Sequence, residues 1–131
     1  MAQYESAEAL YDVIDAMVNN LQENEAFKRR IQYAKRTVGF KVTDPAATFK
    51  LRFAEGDVSW EKGTTEGAQV TICLSGDLLH QVFTGARDAQ TAYMVGNLRL
   101  EGDEYAAQSI LYYGRDLVNA FKQASEQAQG S

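Results

Sequence analysis

The chain has 131 residues and one cysteine, Cys73, so there is room for one domain, and neither an internal disulfide nor a paired-cysteine metal knuckle can form. Apolar residues at 45% and charged residues at 24% exclude a disordered chain and suffice for a core that needs no covalent staple. A net charge of −5, with Lys28, Arg29 and Arg30 the nearest approach to a basic run, excludes nucleic acid as the main partner, and no apolar stretch nears the ~20 residues of a membrane span.

Ser6 is placed to cap a first helix, with Glu8 close to its positive end. Leu10, Val13, Ile14, Met17 and Leu21 then recur at helical spacing along one stripe. Asn24 is placed to cap a second helix carrying Ala26, Phe27, Ile31 and Ala34. From about Thr37 the pattern becomes an alternation. Val38, Phe40 and Val42 alternate with Gly39 and Lys41, Asp44-Pro45 marks a turn, and Phe49, Leu51 and Phe53 alternate with Lys50 and Arg52. Glu55-Gly56-Asp57 turns the chain into Val58 and Trp60, and Val70, Ile72 and Leu74 make a fourth strand. The short turns predict antiparallel hairpins, and the clean alternation predicts one apolar and one wetter face.

Ser75 stands at a strand-to-helix junction that leads into Leu78, Leu79, Val82 and Phe83, a short apolar helix stopped by Gly85. Asp88 can cap another short helix that ends at Gly96, and Leu98 and Leu100 alternate in a fifth strand. Asp103 is placed to cap one last long helix with the stripe Ala106, Ile110, Tyr113, Leu117 and Phe121. After about Ser125 the tail is polar and expected to fray. This order predicts a single α+β domain over 1–131, a five-stranded, mostly antiparallel sheet with helices gathered on one face.

The chemistry-bearing residues are sparse. His80 is the only histidine; it could pair with Cys73 or a serine, but no nucleophile-elbow motif is present, and it is read as a partly exposed helix residue. Cys73 alternates with Ile72 and Leu74 and is read as a small hydrophobe on the opposite sheet face. Asp12 with Asp15, and Asp103 with Glu104, read as solvated or dipole-matched carboxylates. No glycine-rich phosphate cradle and no metal-ligand cluster is evident, so neither cofactor nor metal is expected. The apolar inventory is richer. Leu111, Tyr112 and Val118 give the last helix a second apolar edge, which needs a partner helix, a second subunit or a ligand to cover it.

The stretch VTICLSGDLLHQVFTGARDAQTAYMVGNLRLEGD, from Val70 to Asp103, resembles the sterol carrier protein 2 domain family. The matching pieces are Thr71 to Ser75, Asp77 to Leu79, Thr84-Gly85, Asp88 to Gly96 and Leu98 to Asp103, in the family's order and spacing. The resemblance implies a five-stranded sheet with helices enclosing an apolar tunnel. It further implies non-catalytic binding and transfer of a sterol, fatty acid or fatty acyl-CoA. Carried over position by position, it places Val82, Phe83, Tyr93, Met94, Leu98 and Leu100 on the tunnel wall. The final helix, GDEYAAQSILYYGRDL, departs from the family pattern; there the resemblance extends the lining to Ile110, Leu111 and Tyr113. The expected partner is a lipid or other apolar small molecule, with transient membrane contact and a monomer or homodimer as the assembly. Alternatives are an accessory domain of a lipid-processing enzyme, with His80 or Tyr93 as acid–base, and a dimerisation module. With no secretory signal and no peroxisomal address in the sequence, the expected location is cytoplasmic and the expected type a stand-alone prokaryotic-like member.

Overall fold

The alternating segments become β1 (Lys35–Thr43), β2 (Ala47–Ala54), β3 (Asp57–Lys62), β4 (Val70–Ser75) and β5 (Arg99–Gly102). The computed structural model describes residues 4–129, and of these the side chains at 109–112 and 127–129 lie outside the description. Two helices precede the sheet, α1 (Ala7–Gln22) and α2 (Glu25–Arg30); α3 (Gly76–Phe83) and α4 (Ala89–Met94) lie between β4 and β5; α5 (Glu104–Tyr112) and α6 (Gly114–Gln129) follow. Cap chemistry fixes the helix starts. Ser6, Asn24, Ser75 and Asp88 each accept a hydrogen bond from the backbone N–H three residues on, satisfying donors that a helix start leaves unpaired.

The strands form one sheet in the order β3-β2-β1-β4-β5. It is mixed: β1 and β4 run parallel, and the other three pairings are antiparallel. The expected chain of hairpins therefore holds through β3 and fails at β4, which crosses to the far side of β1. Gly39 makes the crossing possible. A Cβ there would stand 2.8 Å from Cβ of Thr65 and 3.0 Å from Oγ1 of Thr71, so the β3–β4 connection lies directly on the bare backbone of β1.

Register puts the apolar residues on one face. Phe40 pairs with Phe49 and Ile72, Leu51 with Val38 and Trp60, and Ile72 with Leu100. Helices α1, α3 and α5 pack on the sheet, and α6 packs on α1 and α3. Phe40 and Phe49 stack at 4.8 Å, while Phe83 meets Phe40 at 5.9 Å and Phe121 at 5.3 Å, both edge-on. Helices α1 and α6 pack together, and Asn20 Nδ2 donates to the Ala120 carbonyl at 3.2 Å.

The single long last helix is corrected to two. The chain breaks at Tyr113-Gly114, where glycine lowers helix propensity and Tyr113 turns into the core. The Tyr113 ring lies 5.7 Å from Phe27 and 5.5 Å from Phe53, and its carbonyl accepts from Leu117 N at 3.1 Å to begin α6. The break lets α5 contact β1, β4 and β5 while α6 contacts α1 and α3. Helix α6 extends to Gln129.

Candidate functional site

The distinctive region surrounds α4. Helix α3 starts on the Ser75 cap and ends where the Thr84 hydroxyl donates to the His80 carbonyl at 2.7 Å. Gly85 then takes φ +79, a left-handed turn that favours glycine, and lies against Val118 of α6. Asp88 caps α4 through both N and Oγ1 of Thr91, at 3.1 and 3.0 Å. Of the six residues of α4 only Ala92 is buried, so the helix offers the core one small side chain.

An apolar cleft lies on each side of this helix. The first, about 340 Å³, runs between the end of α3, the start of α4 and α6, and is lined by Val82, Phe83, Gly85, Ala89, Leu117 and Val118 among others. The second, about 190 Å³, lies between α4, β5 and α5, with Ile72, Ala89, Tyr93, Leu98, Leu100 and Ala107 on its walls. Ala89 belongs to both, so a two-turn helix is the partition between them.

Of the residues expected on the wall, Val82 and Phe83 line the first cleft, and Tyr93, Leu98 and Leu100 line the second. Met94 lines neither: it is 82% exposed, because two residues along a helix turn a side chain to the face opposite buried Ala92. Tyr113 sits in the core between Phe27 and Phe53. Ile110 and Leu111 belong to α5, and their side chains lie outside the described residues. Ala89, Ala107 and Arg87 were not anticipated. Two are alanines that admit a cleft by being small, and Arg87 sits in a loop without periodicity.

The titratable groups are occupied in structural roles. His80 Nδ1 lies 2.9 Å from the Tyr4 hydroxyl, its ring meets Phe121 edge-on at 5.8 Å, and burial holds its pKa below the ordinary imidazole value, with Asp77 opposing in part. Cys73 is half-buried on the outward face of β4, its thiol pushed up by burial and by Glu101, while Arg99 and Lys41 pull it down. Among the described residues no hydrogen bond joins His80 to Cys73 or to a serine. Asp15 accepts from Trp60 Nε1 at 2.9 Å, and Asp103 accepts from Tyr105 N at 2.9 Å. Tyr93 directs its hydroxyl to Glu104 at 3.4 Å on the surface. Among the described residues no group of three or more histidines, cysteines or carboxylates could hold a metal, and no helix is long and apolar enough to cross a membrane.

Comparison with solved structures places the same fold elsewhere. Sterol carrier protein 2 of Yarrowia lipolytica, in its apo form, superposes with a TM-score of 0.66 at 21% identity, covering 91% of this chain and 97% of that one. The sterol carrier protein domain 2 of Helicoverpa armigera gives 0.67 at 18% identity, covering 88% and 91%. A variant of the sec-alkyl sulfatase from Pseudomonas sp. gives 0.59 at 21% identity over 64% of this chain, which spans only 13% of that enzyme. No curated protein matches the chain in sequence. The SCP-2 sterol transfer family matches residues 14–110, which take in the lining of both clefts except Gly114, Leu117 and Val118 of α6, and the chain belongs to that family.

Proposed function

We propose that this protein binds one hydrophobic lipid, a sterol, fatty acid or fatty acyl-CoA, beside α4 and carries it without chemical change. The observation that carries the reading is the pair of apolar clefts divided by a short helix whose only buried residue is Ala92. The first cleft already lies in the range of roughly 300–1,000 Å³ typical of ligand sites. Displacement of α4 would join the two, and its glycine-flanked ends, Gly85 and Gly96, are natural hinges. Each methylene removed from water contributes about 0.8 kcal/mol, so roughly fifteen hold a chain at micromolar strength after an association cost of about 4 kcal/mol. Transfer needs no nucleophile or base. Met94 and Val95, at 82% and 61% exposed, set an apolar tip beside the second cleft that suits transient contact with a membrane during loading.

The test is native mass spectrometry of the purified protein, followed by displacement of a fluorescent fatty acid. A retained apolar molecule, or saturable probe binding, is expected; absence of both would sink the reading. A second reading, an accessory domain of a lipid-processing enzyme, draws support from the likeness to a part of the sec-alkyl sulfatase. Co-purification of a lipid-processing activity that depends on this chain would favour it.

A further inference from the structure

A third concavity lies around the start of α3, where β1 and β4 end and β5 begins. It is larger than the other two, about 790 Å³, and its walls are polar, with Lys41, Cys73, Asp77, Arg87, Arg99 and Glu101 among the lining residues. Its floor is the outward sheet face, where register sets Cys73 between Lys41 and Arg99. Lys41 is neutralised by Glu101 at 3.1 Å. Among the described residues neither Arg87 nor Arg99 forms an ion pair or a side-chain hydrogen bond, so the lining holds three cationic residues, Lys41, Arg87 and Arg99, against two carboxylates, Asp77 and Glu101. This is a local excess of positive charge on a chain whose net charge is −5.

Arg87 also lines the apolar cleft of Val82, Phe83 and Val118. The polar and apolar concavities therefore meet at this residue. Asp88, which lines the same apolar cleft, turns its carboxylate to cap α4 through Thr91, and among the described residues it forms no ion pair with Arg87. A guanidinium at such a junction suits a ligand with two parts: planar, permanently charged donors bind a carboxylate or phosphate, and the adjoining wall takes a hydrocarbon chain.

Resting on the lipid-carrier reading, we infer that the ligand is a single-chain amphiphile with an anionic head, carboxylate or phosphate. Its head lies against Arg87 and Arg99, and its chain enters the first apolar cleft past Arg87. These two arginines set the preference for anionic over neutral lipids.

The experiment uses the full chain and a neutral reporter, parinaric acid methyl ester, displaced by oleate, oleyl phosphate or oleyl alcohol at concentrations below aggregation. The anionic competitors are expected to displace the reporter at concentrations about tenfold lower than the alcohol, the factor one charge-assisted hydrogen bond supplies. Which of the two is stronger identifies the head group. In the R87Q/R99Q double variant the three competitors should converge, and R87K/R99K should recover part of the gap. Equal displacement by all three in the wild type, or a gap that survives in R87Q/R99Q, overturns the inference while leaving the carrier reading intact. Binding of neither the ester nor free parinaric acid, with no apolar molecule retained on purification, overturns the carrier reading itself.

Discussion

The Tyr4 hydroxyl and His80 Nδ1 lie 2.9 Å apart, a hydrogen bond that ties the segment ahead of α1 to the middle of α3. Burial pushes the Tyr4 phenol far above its ordinary range and holds His80 below its own, so burial favours the uncharged form of both partners. The native state thus releases the His80 proton at a pH where the unfolded chain still holds it, and stability rises with pH across that interval. Its contribution is fully present above the ordinary value of 6.5 and declines as pH falls below it. Urea midpoints measured from pH 7.5 to pH 5 should fall, and the slope should flatten in His80→Gln. An unchanged slope in that variant would assign the acid sensitivity to other groups.

Removing the Tyr4 hydroxyl should act without pH. Tyr4→Phe is expected to lower stability by about 1 kcal/mol, the net worth of one hydrogen bond, and to loosen the first residues ahead of α1. Hydrogen exchange should show faster exchange in residues 4–8 while the sheet amides keep their protection. Uniform loss of protection across the chain would mean that Tyr4 serves the core rather than a local tether.

Arg30 and Asp116 join α2 to the first turn of α6 at 2.8 Å, with the carboxylate 10% exposed and the guanidinium 47%. Asp116 also stands in the first turn of its helix, where negative charge is favoured. Arg30→Ala should therefore cost about 1–2 kcal/mol, between the values for surface and buried pairs. In an Asp116→Asn background the same substitution should cost much less. Equal costs in the two backgrounds would show that the pair is uncoupled.

What was legible in the sequence was local. Ser6, Asn24, Ser75 and Asp88 sit beside the donors they satisfy, and the alternation of Val38 to Val42 and Phe49 to Phe53 states a face without reference to anything distant. The partner of β4 was not legible, since a strand with one apolar face suits β3 or β1 equally; Gly39 was the trace of the choice, and it reads as an ordinary strand residue until Thr65 is laid over it. The same limit applies at the site. The motif from Val70 to Asp103 spans α3, α4 and β5, which border the two clefts, but helical spacing could not tell that Tyr113 turns to Phe27 and Phe53 or that Met94 faces solvent. Arg87 has no periodic neighbour and acquires meaning only where two concavities meet.

Gly39→Val tests the crossing. The added side chain must displace Thr65 or Thr71, whose atoms lie 2.8 to 3.0 Å from the position of its Cβ. Overpacking of this kind costs about 1–3 kcal/mol. Thr65→Gly in the same chain should restore part of the loss, by removing the Cβ and Cγ2 that the new side chain meets. Failure of that second substitution to restore any stability would place the strain in the strand and not in the overlying connection.

The two clefts can be blocked separately, and the outcome discriminates between one chain-length site and two independent ones. Val118→Trp fills the space beside Gly85 and Val82, and Ala107→Trp fills the space beneath Tyr93 and Leu98. Both positions are half-buried at the rim of the core, so neither ring must enter the aromatic stack of Phe40, Phe83 and Phe121. If a ligand chain displaces α4 and runs through both clefts, each substitution alone should weaken binding of a fluorescent fatty acid by about tenfold or more, since a few buried methylenes at about 0.8 kcal/mol each are lost in either case. A shorter probe, of eight to ten carbons by design, should then be sensitive to only one of the two. Thermal midpoints close to wild type would confirm that each variant folds. Full-length probe binding that responds to Val118→Trp and ignores Ala107→Trp would confine the ligand to the α3–α6 cleft, leaving α4 a fixed wall rather than a moving partition.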